Sequence, residues 1–334
     1  MSQVNRQLRL QSRPKGLLAP GDLQLNETPI PELQDGQALA KVKYLSIDPT
    51  MRVWMSMDSY LPAVAIGEVM RSGGLAEVVE SKHAHFKKGD KIFGMTGFQE
   101  YVVIEPQSRM PWQKIPSIPF VSDTAFLGTL GITGLTAYFG MTEIAKPQRG
   151  ETLVVSAAAG ATGSVAGQIG KIHGCRVVGI AGTDEKCAWL TNELSFDAAI
   201  NYKDPDWKEK LAAATPNGVD INYENVGGEI MEAVLGRMNL HGRVVLCGFI
   251  SGYTKEAPEQ LSLGLLIVKR LRVQGFLIFD YASRYADAAM ELGKWKMMGK
   301  QKDRQTVVEG LEKAPDAINM LFTGGNIGKL IVKV

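Results

Sequence analysis

Residues 152–167 constrain this chain more than any other stretch, because an apolar strand runs straight into a glycine-rich turn and the turn into a helix. Leu153, Val154 and Val155 read as a strand buried on both faces of a parallel sheet. Gly160 and Gly163 follow at the spacing that lets backbone approach a pyrophosphate, and Gly167 is expected to let the new helix sit tightly against the sheet. The first amides of a helix have no intrahelical acceptors and carry partial positive charge. The turn from Gly160 through Ala161, Thr162 and Gly163 to Ser164 would therefore present several N–H donors to phosphate oxygens. Ala158 stands where the stricter dinucleotide fingerprint has its first glycine, so the turn alone is not specific, and packing of small residues would leave the same pattern.

Downstream, strands are expected over 176–181, 198–201, 220–224, 243–247 and 271–276. Helices are expected over 185–194, with Thr183 or Asp184 as N-cap, and over 229–238, ending near His241 and Gly242. This alternation predicts an α/β fold with a doubly wound parallel sheet and right-handed crossovers. The first 125 residues differ: short strands over 38–47, 76–81 and 100–105 are broken by Pro62, Gly73-Gly74 and Lys88-Gly89-Asp90, which predicts a β-rich domain. The tail, 328–334, reads as another alternating strand that returns to the first domain and closes the cleft between the two.

The dinucleotide is chosen at the end of the second strand, where an acidic residue about 20 positions after the glycine turn would bind a free ribose 2′-hydroxyl. Counting from Gly163 reaches Gly182 and Thr183 instead, with Lys186 one helical turn later. A phosphate attracts a cation and rejects an acid, so NADPH is favoured over NADH. Asp184 remains an alternative ribose ligand if the strand runs longer, and Lys186 is alternatively a solvated helix lysine.

At 334 residues the chain exceeds one typical domain. Its net charge of +2 gives no electrostatic case for nucleic acid or an anionic membrane. With 45% hydrophobic and 22% charged residues, no long apolar span and no basic-then-apolar leader, it reads as a soluble cytoplasmic enzyme. Cys175, Cys187 and Cys247 sit among apolar neighbours and read as reduced core residues rather than a disulfide framework or zinc cluster.

Several ordered motifs carry a resemblance over nearly the whole length. They are Tyr44-Leu45-Ser46-Ile47-Asp48-Pro49-x-Met51-Arg52, Gly134-Leu135-Thr136-Ala137-Tyr138 and Ala157-Ala158-Ala159-Gly160-Ala161-Thr162-Gly163-Ser164-Val165. Further on come Asn201-Tyr202, Glu224-Asn225-Val226-Gly227-Gly228, Cys247-Gly248 through Tyr253, and Asn326-x-Gly328-Lys329. With them the chain resembles zinc-independent medium-chain dehydrogenase/reductases, the group of prostaglandin and leukotriene reductases, plant alkenal double-bond reductases and bacterial curcumin reductase. The resemblance implies a GroES-like catalytic domain at both chain ends, 1–125 and 307–334, and a Rossmann domain over 126–306, with NADPH in the cleft.

By the same resemblance, the 160–163 turn would hold pyrophosphate, with Lys186 and Tyr202 flanking the adenosine 2′-phosphate. Asn225, Cys247, Gly248, Ser251, Tyr253, Phe276, Leu277, Ile278 and Asn326 would line the nicotinamide half. Tyr202 is alternatively a packed strand-end tyrosine, and Asn225 a cap for the next turn. Tyr253 matches the family tyrosine near the nicotinamide ribose and is the candidate catalytic residue, anchoring the 2′-hydroxyl and relaying a proton.

The histidines, His83, His85, His173 and His241, have no metal-ligand spacing with cysteine or carboxylate, and Ile66-Gly67-Glu68 has no histidine beside its glutamate. No bound metal is expected. The matching chemistry is reduction of a carbon–carbon double bond conjugated to a carbonyl, where hydrogen-bond donors stabilise the enolate. The rival readings are a quinone reductase and a noncatalytic NADPH-binding protein.

Two departures from the family bear on substrate. Thr50 replaces a tyrosine common among relatives, so a contact to the substrate oxygen is absent or rebuilt. The segment after Tyr253, 254–266, lacks a longer proline-rich loop. Arg52, beside Thr50, would meet a carboxylate or phosphate, or else form a structural ion pair. The apolar segment 276–279 and the Met-rich stretch 51–57 point to a small hydrophobic enone or enal, or to core packing. A homodimer is expected, paired through the edge of the nucleotide-binding sheet near 261–276.

Overall fold

The strand that opens the glycine-rich turn, Thr152–Val155, is buried at every residue and lies near the middle of a six-stranded parallel sheet. In chain order the strands are Thr152–Val155, Arg176–Ala181, Ala198–Asn201, Val219–Glu224, Met238–Leu246 and Arg272–Gly275. Side by side they run third, second, first, fourth, fifth, sixth. The winding direction reverses between the first and fourth strands, and in such sheets ligands bind beyond the carboxyl ends at that reversal. Helices Ala161–Ile172, Asp184–Asn192, Trp207–Ala214 and Gly228–Arg237 make the crossovers between the first five. Trp207–Ala214 was not singled out by motif, yet it buries Trp207, Leu211 and Ala214, one stripe at helical spacing. Val154, Val178, Val219 and Val244 from four strands share one core with that helix.

The computed structural model describes residues 4–106, 112–119, 121–255 and 263–334. They fall into two units, one of Met1–Leu127, Gln305–Asn326 and Leu330–Val334, the other of Gly128–Arg304 and Ile327–Lys329. The first unit holds a seven-stranded sheet in which Ala38–Ser46 pairs antiparallel with Gly73–Ser81, Tyr101–Ile104 and the tail strand Lys329–Lys333. A separate hairpin joins Val4–Leu10 to Leu23–Pro29.

Three expectations are corrected. The tail strand does not alternate: Lys329, Leu330, Ile331 and Val332 are all buried. Ile331 packs with Leu75 and Leu127, whereas Leu330 and Val332 join the larger core, so both faces of the strand are covered. The helix expected over 229–238 ends at Arg237, well before His241, because Met238 already pairs with Val219 and starts the fifth strand. Gly167 does not meet the sheet. A Cβ there would lie 2.0 Å from the Phe196 ring, while one at Gly170 would lie 2.4 Å from Leu153 of the first strand. Gly170, three residues on, is therefore the glycine that brings this helix close to the sheet.

Candidate functional site

After Val155 the backbone must turn sharply to start a helix. Ala157 takes a left-handed φ of 46°, Gly160 donates its N–H to Ala157 O at 2.9 Å, and Gly160 becomes the N-cap of Ala161–Ile172. Ser164 is the first residue whose N–H closes a helical bond, to Gly160 O at 3.0 Å. The amides of Ala161, Thr162 and Gly163 thus belong to the first turn, which has no intrahelical acceptors for them, and form a ready anion site. Gly163 is required by space: a Cβ would stand 2.5 Å from Ala157 O. Ala158 is tolerated because it faces Gly179 of the second strand, where a second Cβ would come within 2.9 Å of its own.

The turn is also tied to a segment that motif spacing alone did not place beside it. Gly328 N–H donates to Ala159 O at 2.7 Å, and Gly160 bridges Gly328 in parallel fashion. Gln168, buried on the same helix, donates to Lys302 O at 2.9 Å and accepts from Lys302 N at 2.7 Å.

At the end of the second strand the N-cap alternatives resolve. Thr183 caps Asp184–Asn192, its hydroxyl accepting from Lys186 N, and the Asp184 carboxylate accepts from Asn201 Nδ2 at 2.9 Å. The Tyr202 ring covers Gly182, where a Cβ would lie 3.0 Å from its Cε1. Burial lowers the Lys186 ammonium below its ordinary pKa, and the nearby positive charge of Lys203 lowers it further. Lys186 therefore has a second cation, Lys203, near it, and the Glu185 carboxylate acts against the shift. Lys203 was missed, although it directly follows the Asn201-Tyr202 motif.

Beyond the fourth and fifth strands the backbone is bonded across three strand ends. Asn225 donates its N–H to Ser156 Oγ at 2.8 Å and its Nδ2 to Ser156 O at 2.7 Å. The N–H groups of Cys247 and Gly248 both donate to Glu224 O, at 2.9 and 3.1 Å. Ser251 Oγ donates to Val226 O at 2.6 Å, and the Tyr253 phenol oxygen accepts from Phe249 N at 3.2 Å. The Phe276 ring meets Tyr281 edge-on at 6.4 Å, Leu277 is exposed, and Ile278 O accepts from Tyr285 at 2.9 Å. Asn326 is buried at the end of Gln305–Asn326 in the other unit.

Thr50 and Arg52 lie in the first unit. Thr50 Oγ1 and the Tyr60 phenol are hydrogen-bonded at 2.7 Å, and Tyr60 meets Trp54 edge-on at 6.3 Å, with Arg71 over the Trp54 ring. Burial raises the Tyr60 phenol above its ordinary pKa, against the hydrogen bonds to Thr50 and Trp54. Tyr60 stands ten positions after Thr50 on an irregular stretch, and no periodicity marks it. Arg52 departs from both readings offered for it. It is 5% exposed and donates to Pro14 O and Gly16 O, each at 2.6 Å, and to Ser56 Oγ, so it staples the N-terminal segment rather than facing an anion. Met51 and Met55 are core residues, while Met57 is exposed.

All three cysteines are free. Burial pushes the thiols of Cys175 and Cys187 up to about 11 and that of Cys247 to about 12. Among the described residues no group of three His, Cys, Asp or Glu side chains is placed to hold a metal ion. Within the 254–266 segment, residues 256–262 lie outside those described.

A family model described as the N-terminal domain of oxidoreductase matches residues 6–111, and one described as zinc-binding dehydrogenase matches residues 161–295. The chain is 42% identical to the NADPH-dependent curcumin reductase of Escherichia coli (strain K12), over 99% of this chain and 97% of that protein. It is 40% identical to the NADP(+)-dependent 2-alkenal reductase of Nicotiana tabacum, again over 99% and 97%. Among solved structures, CurA from Vibrio vulnificus in complex with NADPH superposes with a TM-score of 0.93 at 41% identity, over 98% of this chain and 99% of that one.

Proposed function

This chain belongs to the zinc-independent medium-chain dehydrogenase/reductases, in the group of prostaglandin, alkenal and curcumin reductases, and on that premise we propose that it reduces α,β-unsaturated aldehydes and ketones with NADPH. The observation that carries the reading is the first turn of Ala161–Ile172, where three adjacent amides suit a pyrophosphate and the turn closes so tightly on Gly163 that a Cβ there would stand 2.5 Å from Ala157 O. For the 2′-phosphate, support comes from Lys186 and Lys203, two cations near each other after the second strand, where an acid would select NADH. Bound there, NADPH supplies hydride to the β-carbon of the substrate.

The protein's own groups must handle the charge that then develops on the carbonyl oxygen. Tyr60 supports a rebuilt oxygen contact: its phenol is bonded to the Thr50 hydroxyl, at the position where relatives carry a tyrosine. A phenol is protonated at neutral pH, so Tyr60 can donate a hydrogen bond. Tyr253 is the proposed anchor and relay near the nicotinamide ribose, its ring oriented by the bond from Phe249. Asn225, Cys247, Gly248, Ser251, Phe276, Leu277 and Ile278 complete the proposed nicotinamide half. For substrate, the exposed Leu277 and Phe279 favour an apolar molecule.

The test is consumption of NADPH, with NADH as a parallel donor, across enals, enones, phenolic dienones and quinones. Enals and enones are expected to turn over with NADPH. Tyr60→Phe and Tyr253→Phe are each expected to lower kcat/KM for enals about tenfold, the loss of one hydrogen bond to developing charge. Turnover of quinones alone would replace the reading with quinone reduction, and equal rates with both donors would remove the 2′-phosphate argument.

The reading carries a cytoplasmic homodimer. Its support is the exposed edge strand Arg272–Gly275, preceded by Leu263, Ile267 and Val268 at 65%, 75% and 67% exposure. No helix among the described residues is long and apolar enough to cross a membrane. Sedimentation is expected to show a dimer at micromolar concentration, and a single monomeric species would remove that part.

A further inference from the structure

The fourth strand of the parallel sheet ends in a carboxylate to which the reaction above gives no role. Glu224 is 0% exposed. Its recorded hydrogen-bond partners are all neutral. Ser156 Oγ donates to Oε1 at 2.6 Å, the N–H groups of Val226 and Gly227 donate to the same oxygen at 2.7 and 2.9 Å, and Asn222 Nδ2 donates to Oε2 at 3.1 Å. An aliphatic side chain would serve the fold with less desolvation, as Ile221 does on the same strand. What the acid adds over an aliphatic side chain is a set of four hydrogen bonds that fixes the groups around it.

The bonds show which groups those are. Ser156, which donates to the carboxylate, also accepts the N–H of Asn225, and its carbonyl takes the Asn225 amide. The Val226 N–H is held by the carboxylate, and the Val226 carbonyl takes both the hydroxyl and the N–H of Ser251. The backbone carbonyl of Glu224 itself receives Cys247 and Gly248. Four groups proposed for the nicotinamide half, Asn225, Cys247, Gly248 and Ser251, therefore take their placement from one buried residue or its immediate partners. None of the bonds reaches the first turn of Ala161–Ile172 or the Lys186 corner.

We propose that Glu224 is a positioning residue for hydride transfer: through Ser156 and the 225–227 turn it orients the nicotinamide half of the site while leaving the adenosine half untouched. The proposal rests on the NADPH reading above. What the site needs from residue 224 is a buried acceptor oxygen of fixed direction. Glutamine retains one at Oε1, and where its new N–H group replaces Oε2 a flip of the Asn222 amide would turn toward it Oδ1, which is buried without a hydrogen-bond partner, in place of the Nδ2 donor.

The experiment measures calorimetric Kd values for NADPH and for adenosine 2′,5′-bisphosphate, together with kcat on an enal, in the full-length parent, Glu224→Ala and Glu224→Gln. Glu224→Ala is expected to weaken NADPH binding about tenfold and lower kcat about tenfold, while the adenosine bisphosphate Kd stays within about twofold. Glu224→Gln is expected to stay within about threefold of the parent throughout. The proposal is overturned if Glu224→Ala keeps both NADPH Kd and kcat, if the adenosine fragment loses affinity in step with NADPH, or if glutamine is as poor as alanine. Should Glu224→Ala fail to fold, Ser156→Ala takes its place. It is expected to show the same split at smaller amplitude, and unchanged NADPH Kd and kcat in it overturn the proposal equally. A parent protein that does not bind NADPH is a separate result, which removes the coenzyme reading itself.

Discussion

Gly163→Ala is expected to weaken NADPH binding by about 100-fold or more, through backbone strain in the phosphate turn and the loss of aligned amides. The added methyl would stand 2.5 Å from Ala157 O and 3.0 Å from Ala158 Cα, and both are main-chain atoms with no flexible end to move aside. Ala157 already holds a left-handed φ of 46°, so the turn has little slack to absorb a shift. The amides of Ala161, Thr162 and Gly163 must then leave their common direction. Gly167→Ala is the control. Its methyl meets the Phe196 ring at 2.0 Å, away from the turn, so it is expected to lower stability by about 2 kcal/mol while NADPH affinity stays within about threefold. Titration calorimetry and thermal melts on both variants separate the two effects. A Gly163→Ala protein with parental NADPH affinity would end the pyrophosphate assignment.

The double variant Lys186→Ala/Lys203→Ala is expected to lose about 3 kcal/mol of NADPH binding, about 100-fold, with little change for NADH. Burial lowers the Lys186 pKa most and the charge of Lys203 lowers it further, so the ammonium is costly there without an anion, and a 2′-phosphate would offset that cost. Each single variant is expected to lose about tenfold, and the loss should shrink as salt screens the partly exposed lysines. The ratio of kcat/KM values for NADPH and NADH is the measurement. A double variant that weakens both donors equally would place these lysines outside the 2′-phosphate corner.

The parts of the fold legible from residue pattern were those set by local chemistry. An aliphatic run followed by glycines announced Thr152–Val155 and its turn, and the βα spacing announced the strand positions. Ends were less legible. Met238 begins a strand because Val219 is beside it, and nothing in residues 238–242 announces that partner. The choice between Thr183 and Asp184 was open because either side chain can cap a helix. It was closed by Asn201, which takes the Asp184 carboxylate. Arg52 next to Asp48-Pro49 reads as an anion ligand until Pro14 and Gly16 are seen to supply its acceptors. The contacts of Tyr60 and Glu224 were illegible for the same reason: their partners, Thr50 and Ser156, are 10 and 68 positions away in the chain.

The state of the cysteines has a consequence for an enzyme that handles enals. Such substrates are Michael acceptors, and they alkylate thiolates far faster than thiols. With their pKa values raised to about 11, 11 and 12, Cys175, Cys187 and Cys247 hold almost no thiolate at neutral pH. The sulfur at the end of the fifth strand, Cys247, is the most strongly protonated of the three. If enals are the substrates, the burial that raises these thiols would also slow their alkylation by them.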